Sequence, residues 1–227
     1  YKRQALNDAV NALSAGITGP VVFDVDASVV YDESIVIEAI AGSSAVNTVT
    51  FRGNGATIAR TTQPSSNPLL NASTIFLYGS SYVTIDSFNI VPQAGSSTDG
   101  VRLGANAHHN TITNCTIDLS NTSSAYYASG GIYSVGYILG IPFYFLNSPM
   151  SLASHCTITN NRIINTNDDV LAYGVNLSGL IGNSGSNTNR IENNSVEGYY
   201  YAGISLVAGQ DNSVVQGNTI DGRFQIG

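Results

Sequence analysis

Two carboxylates on neighbouring turns of a chain can serve as general acid and base on a glycosidic bond, one held protonated and the other ionised. In this 227-residue sequence the candidates are Asp99, the adjacent Asp168 and Asp169, and Glu197 with Asp221, which occupy equivalent places in a repeated phrase. Asp99 and Asp168 lie 69 residues apart, so no convergent catalytic set is expected and the leading expectation is a chain without catalytic residues. Arg102, Arg162 and Arg190 have no acidic cluster around them in the sequence, which a calcium-dependent lyase would need. No cofactor is called for; calcium is compatible with the composition but nothing indicates it. His108, His109 and His155 fall near corners, where solvated turn residues are expected, and His/Cys metal-ligand spacing is absent. Tyrosines offer a second chemistry, flat faces for sugar rings. The candidates for ligand binding are Tyr126, Tyr127, Tyr133, Tyr199, Tyr200 and Tyr201, with Arg102; the alternative is that these rings pack in or beside strands.

One short phrase sets the elements that would position these groups. Arg190-Ile191-Glu192-Asn193-Asn194-Ser195-Val196 is restated at residues 214–220, and upstream at 157–163, 111–117 and, more loosely, 84–90. Aligned, the copies give an apolar column of Ile85, Ile112, Ile158, Ile191 and Val215, and a second of Ile90, Ile117, Ile163, Val196 and Ile220. The columns are five residues apart, and residues an odd number apart face opposite sides of a strand, so both point inward only if the chain bends between them. The Asn-rich dipeptide supplies the bend, because Asn tolerates left-handed backbone angles. Asn161, Asn194 and Asn218 are expected to form a structural ladder, bonding from turn to turn as stacked amides do. A second phrase, Ile75-Phe76-Leu77, Val101-Arg102-Leu103, Val175-Asn176-Leu177 and Ile204-Ser205-Leu206, is expected to form another short strand with two residues in and one out. From Ile85 the pattern recurs after 27, 46, 33 and 24 residues, too irregular for leucine-rich or hexapeptide repeats. The expected fold is all-β: a right-handed parallel β-helix, a solenoid with turns stacked ~4.8 Å apart.

Residues 1–227 are expected to form a single β-helix domain. Residues 1–16 would be a capping helix with Leu6, Ala9, Val10 and Leu13 on one face, ended by Gly16. Residues 17–227 would form the turns, opening with strands at 21–25, 34–40 and 48–51 and a corner insertion at 61–71. A long insertion at about 121–153 carries the apolar run 137–150, expected either to fold over one face or to meet a partner. The last turn has no polar cap, so the domain is expected to belong to a longer chain or to be covered by another subunit. A net charge of -7 argues against nucleic acid, and no apolar run reaches the ~20 residues of a membrane span. Cys115 stands in place of a corner Asn and Cys156 two before Ile158; both are expected to be buried free thiols.

Residues 17–25 (ITGPVVFDV), 80–90 (SSYVTIDSFNI), 109–118 (HNTITNCTID), 130–136 (GGIYSVG) and 213–222 (SVVQGNTIDG) together resemble the large repetitive β-helix surface proteins that gliding and predatory bacteria export by type IX secretion. These belong to the pectate-lyase-like β-helix superfamily. The resemblance implies a secreted, extracellular or cell-surface protein, an adhesin or structural segment of a larger assembly. Its partners would be a cell-surface glycan or a protein, a homo-oligomer, or further β-helix segments stacked end to end. Residues 97–100 (STDG) and Asp168-Asp169 are also similar to motifs of polygalacturonase-like hydrolases, which would make Asp99, Asp168 and Asp169 catalytic. That is the alternative: a polysaccharide lyase or glycoside hydrolase acting on acidic polysaccharide.

Overall fold

Each strand is short because each ends at a corner that a left-handed residue turns. A computed structural model describes residues 5–61, 73–94, 99–122, 130–134, 153–167, 172–178, 188–207 and 212–223. Three parallel sheets run along its length, each adding one strand per turn. This is a parallel β-helix, right-handed as crossovers between parallel neighbours are. Among the described residues the first sheet has seven strands: Val21–Asp24, Val49–Arg52, Val83–Asp86, Thr111–Thr113, Thr157–Thr159, Arg190–Glu192 and Val214–Gln216. Ile85, Ile112, Ile158, Ile191 and Val215 pair in direct register along it. Phe51 and Phe23 continue the column, with rings stacked at 5.0 Å. The second sheet carries the other column, Ile90, Ile117, Ile163, Val196 and Ile220, also in register. Its first strands, Val30–Tyr31 and Thr57–Ala59, are too short to stand out in the sequence.

The corner between these sheets divides its work between two residues. Asn54, Ser87, Asn114, Asn160, Asn193 and Gly217 take φ between 54° and 65° and turn the chain. The residue that follows in the later turns, Asn161 or Asn194, is buried and points along the axis. Thus both apolar columns face one interior, where Ile85, Ile90, Ile117, Ile158 and Ile163 are fully buried. Each such side chain contributes about 1.5–3 kcal/mol of hydrophobic stabilisation.

Strands Ile35–Ile37, Ser73–Tyr78, Asp99–Gly104, Gly130–Ser134 and Ala172–Ser178 form the third sheet, joined by the far part of Ser195–Val207. Two residues of each phrase face in and one out, as expected, but facing out does not mean exposed. The outward Phe76, Arg102 and Asn176 are buried as well, because they lie against neighbours: Phe76 edge-on to Tyr78 at 5.3 Å and Arg102 over Tyr133.

At the N-terminal end the helix Leu6–Ala12 continues into a 3-10 turn, Leu13–Ala15, and Gly16 ends it at φ 80°. Leu6, Ala9 and Leu13 close the first turn. Ala5 offers no side-chain cap. Glu33 supplies one instead, accepting from Leu6 N at 3.1 Å, Asn7 N at 3.0 Å and Asn7 Nδ2 at 2.8 Å. At the other end the interior columns come to light: Leu206, Val215 and Ile220 are 36%, 46% and 51% exposed. With Ile204 and Asn218 they line a concavity of about 490 Å³. The apolar run 137–150 and residues 62–71 of the expected corner insertion lie outside the described residues, as do Asp168, Asp169, Tyr126 and Tyr127.

Candidate functional site

The outer face of the third sheet gathers the sequence candidates that the structure describes. Pairing puts Phe76, Arg102, Tyr133, Asn176 and Ser205 side by side on successive turns. A second row holds Ser73, Asp99, Gly130, Tyr173 and Ala202. Two rows three residues apart share a face because the glycine between them breaks the alternation. A Cβ on Gly100 would run into Ile117, on Gly131 into Ile163, and on Gly174 into Val196, so these positions face inward directly before inward Val101, Ile132 and Val175.

Asp99 is fully buried. Its Oδ2 accepts from Arg102 Nε at 2.7 Å and Nη2 at 2.6 Å, and its Oδ1 accepts from Gly130 N at 2.9 Å. Burial raises its carboxyl to about 6 against the opposing pull of Arg102 and the Gly130 N–H. The Arg102 guanidinium lies 5.7 Å from the centre of the Tyr133 ring, a cation–π contact. Burial, with Asp99 nearby, pushes the Tyr133 hydroxyl up to about 12. Tyr173 stands 6.3 Å from Tyr133, tilted by 55°. Asn176 Oδ1 and Ser73 Oγ are buried without a hydrogen-bond partner among the described residues.

This arrangement can hold a ring and hydrogen-bond to it, but Asp99 cannot exchange a proton with a ligand, being enclosed and engaged through both oxygens. The Glu197–Asp221 pair does stand in register on adjacent turns of the second sheet. There Arg162 grips Glu197 through Nε at 3.0 Å and Nη2 at 2.7 Å, and Ser195 Oγ donates at 2.8 Å. Arg162 thereby holds Glu197 below the usual carboxylate range. An acid–base couple needs one partner pushed the other way. The backbone of 199–201 lies within Ser195–Val207; the side chains of Tyr199, Tyr200 and Tyr201 are outside the description.

His109 and His155 are exposed corner residues, as expected, whereas His108 is half-buried at the end of the short strand Ala107–His108, and the three are ordered by one another. Tyr82, His109 and His155 share left-handed corners and stack, at 4.8 Å and then 4.7 Å. His108 Nδ1 lies 2.8 Å from His109 Nδ1. Burial, then His155 and His108, lower His109. Lone pairs of stacked rings run parallel rather than converging, and among the described residues no group of His, Cys, Asp and Glu could hold a metal.

Two ladders brace the corners. In the first, Asn161 N and Nδ2 donate to Asn194 Oδ1 at 2.9 and 3.0 Å, and Asn194 N and Nδ2 donate to Asn218 Oδ1, both at 2.9 Å. The amides also reach back to Ile112 O, Ile158 O and Ile191 O. Cys115 occupies the same column, its N donating to Asn161 Oδ1 at 3.0 Å and its Sγ directed at Ile85 O at 3.8 Å. The second ladder, at the opposite corner of the first sheet, was not foreseen. Asn110 Nδ2 donates to Ser80 O at 2.9 Å and Asn189 Nδ2 to Ala153 O at 3.0 Å; between them Cys156 N donates to Asn189 Oδ1 at 2.8 Å. Both thiols are free and buried, and burial pushes each up to about 12. An Asn immediately before Thr111 and before Arg190 was the available signal.

No protein-family model matches the chain, and no curated protein matches it. Among solved structures, a pectin methylesterase from Aspergillus niger, penultimately deglycosylated, matches with a TM-score of 0.44 at 12% identity, covering 98% of this chain and 82% of its own. The deglycosylated form gives a TM-score of 0.41 at 12% identity over 97% and 82% of the two chains. A pectin methylesterase in complex with a hexasaccharide gives 0.38 at 12% identity over 88% and 76%.

Proposed function

We propose that this chain is a non-catalytic module of an extracellular surface protein, an adhesive or structural segment whose outer flank meets glycan. The observation that carries this reading is the fate of Asp99: the described member of the candidate acid set is sealed inside and spent on Arg102 and the Gly130 N–H. What remains on that flank is aromatic and hydrogen-bonding surface. The sequence resemblance to exported β-helix surface proteins supports the extracellular setting. Among the described residues no helix is long and apolar enough to cross a membrane.

Incubating the purified protein with pectin, alginate and chondroitin tests the reading. Neither unsaturated products nor new reducing ends are expected. Either one, abolished by Asp99→Asn or by changing Asp168 and Asp169, would establish the lyase or hydrolase alternative instead.

A further inference from the structure

We propose that Tyr133 and Tyr173 form a notch for a neutral sugar unit, one that donates hydroxyl or amide hydrogens, and that the site discriminates against uronic acids. The inference rests on the reading of this flank as the glycan-meeting surface and names the class of glycan.

Three observations on the outer face point the same way. The first is a fixed aromatic surface. Gly130 has no side chain, and a Cβ there would lie 3.0 Å from the Tyr133 ring, so the ring settles over the glycine with Arg102 on it. Tyr173, inclined by 55°, forms the second wall. A ring already fixed loses little freedom when a sugar stacks on it.

The second is charge. Among the described residues Arg102 is the cation beside Tyr133, and Asp99 already neutralises it at 2.6 Å. A uronate that recruited the guanidinium would strip a fully buried carboxylate of its counter-ion, which is strongly unfavourable. The chain's net charge of -7 adds repulsion. An arginine beside tyrosines ordinarily suggests an acidic sugar; here the ion pair beneath reverses that.

The third is an unmet acceptor. Asn176 is 3% exposed, stands next to Tyr133 on the following turn, and its Oδ1 has no partner among the described residues. A buried acceptor without a donor is costly, and a group that supplies one recovers the cost. Sugar hydroxyls and acetamido N–H groups are donors, so the acceptor argues for a sugar, and the engaged ion pair for one without a carboxylate.

The test is calorimetric titration of the whole chain with mannohexaose, xylohexaose, cellohexaose and chitohexaose, and with hexagalacturonate as the acidic counterpart. At least one neutral oligomer is expected to bind about tenfold or more tightly than hexagalacturonate, with Tyr133→Ala losing about tenfold and Tyr133→Phe retaining most of the affinity. Asn176→Leu, checked for an unchanged fold by circular dichroism, is expected to weaken binding as well. A preference for hexagalacturonate, binding indifferent to Tyr133→Ala, or no binding by any neutral oligomer overturns the inference. Chromatography of the same mixtures separates the two readings. Intact oligomers without binding sink the neutral-sugar site and leave the non-catalytic module standing, whereas cleaved oligomers sink the module.

Discussion

Replacing Asn194 by Ala removes the middle of the first ladder, and the structure sets the size of the loss. Asn194 Oδ1 accepts from Asn161 N and Nδ2, and its own Nδ2 donates to Ile158 O at 2.9 Å. Truncation therefore leaves Asn161 N without its acceptor and takes one of two partners from Asn161 Nδ2, which keeps Ile112 O, in a region where Asn161 and Asn194 are each 2% exposed. A buried group left unsatisfied costs about 1–3 kcal/mol. The two donors of Asn161 share one acceptor, so their losses are not independent, and with the lost amide packing about 2–4 kcal/mol is the expected total. Asn218→Ala deletes an equivalent residue at a part-buried site, where water replaces the missing oxygen, and about 1–2 kcal/mol is expected. Urea unfolding followed by circular dichroism and tyrosine fluorescence measures both, since the chain has 13 Tyr and no Trp. Equal losses in the two variants, or a loss below about 1 kcal/mol for Asn194→Ala, would refute the claim that the ladder holds the corners.

Cys156→Asn places an amide where most buried cysteines would not tolerate one. Here it would reach Ala107 O as Asn189 reaches Ala153 O, so unfolding free energy is expected within about 1 kcal/mol of the parent, and a loss beyond about 2 kcal/mol would count against the second ladder. Arg102→Met leaves Asp99 buried without its counter-ion and is expected to cost about 3–5 kcal/mol at pH 8. Because the folded carboxyl already sits above its ordinary 3.8 and rises further without Arg102, stability falls as pH increases through that range; the deficit must be smaller at pH 5, and a pH-independent deficit would contradict the pairing. Gly174→Ala would strike Gly203 O and bring a Cβ within 2.5 Å of Val196 Cγ1, a cost of about 1–3 kcal/mol in urea unfolding, whereas Gly19→Ala, with open space around it, should stay within about 0.5 kcal/mol.

The inner columns were legible because an isoleucine recurring beside an Asn-rich corner has one physical use. The register of Ile112, Ile158 and Ile191 follows from it directly. Phe51 and Phe23 escaped the alignment because an aromatic fills the same interior slot without looking like Ile. Glu33 as a cap for Leu6 was beyond reach, since the partners are 27 residues apart and no local rule joins them. At the site, strand alternation correctly put Arg102 and Tyr133 in one row. It also kept Asp99 apart from Arg102, because residues three apart on a regular strand face opposite ways. Gly100 cancels that rule by facing inward next to inward Val101, and a glycine in the sequence does not announce which way it faces.

The corner column between the first two sheets changes character along its length. Backbone bonds carry it from Ala56 through Phe88, Cys115, Asn161 and Asn194 to Asn218. The early members are apolar, with Gly53 leaving room for the Phe88 ring; Cys115 is a small hydrophobe that still directs its Sγ at Ile85 O; the later members are amides. An apolar corner is stabilised by burial that its own turn largely provides. An amide corner has its N–H satisfied by the next turn and its Nδ2 shared between the next turn and the one before, so each Asn binds the stability of its turn to that of its neighbours. Coupling between turns is therefore strongest from Asn161 onward.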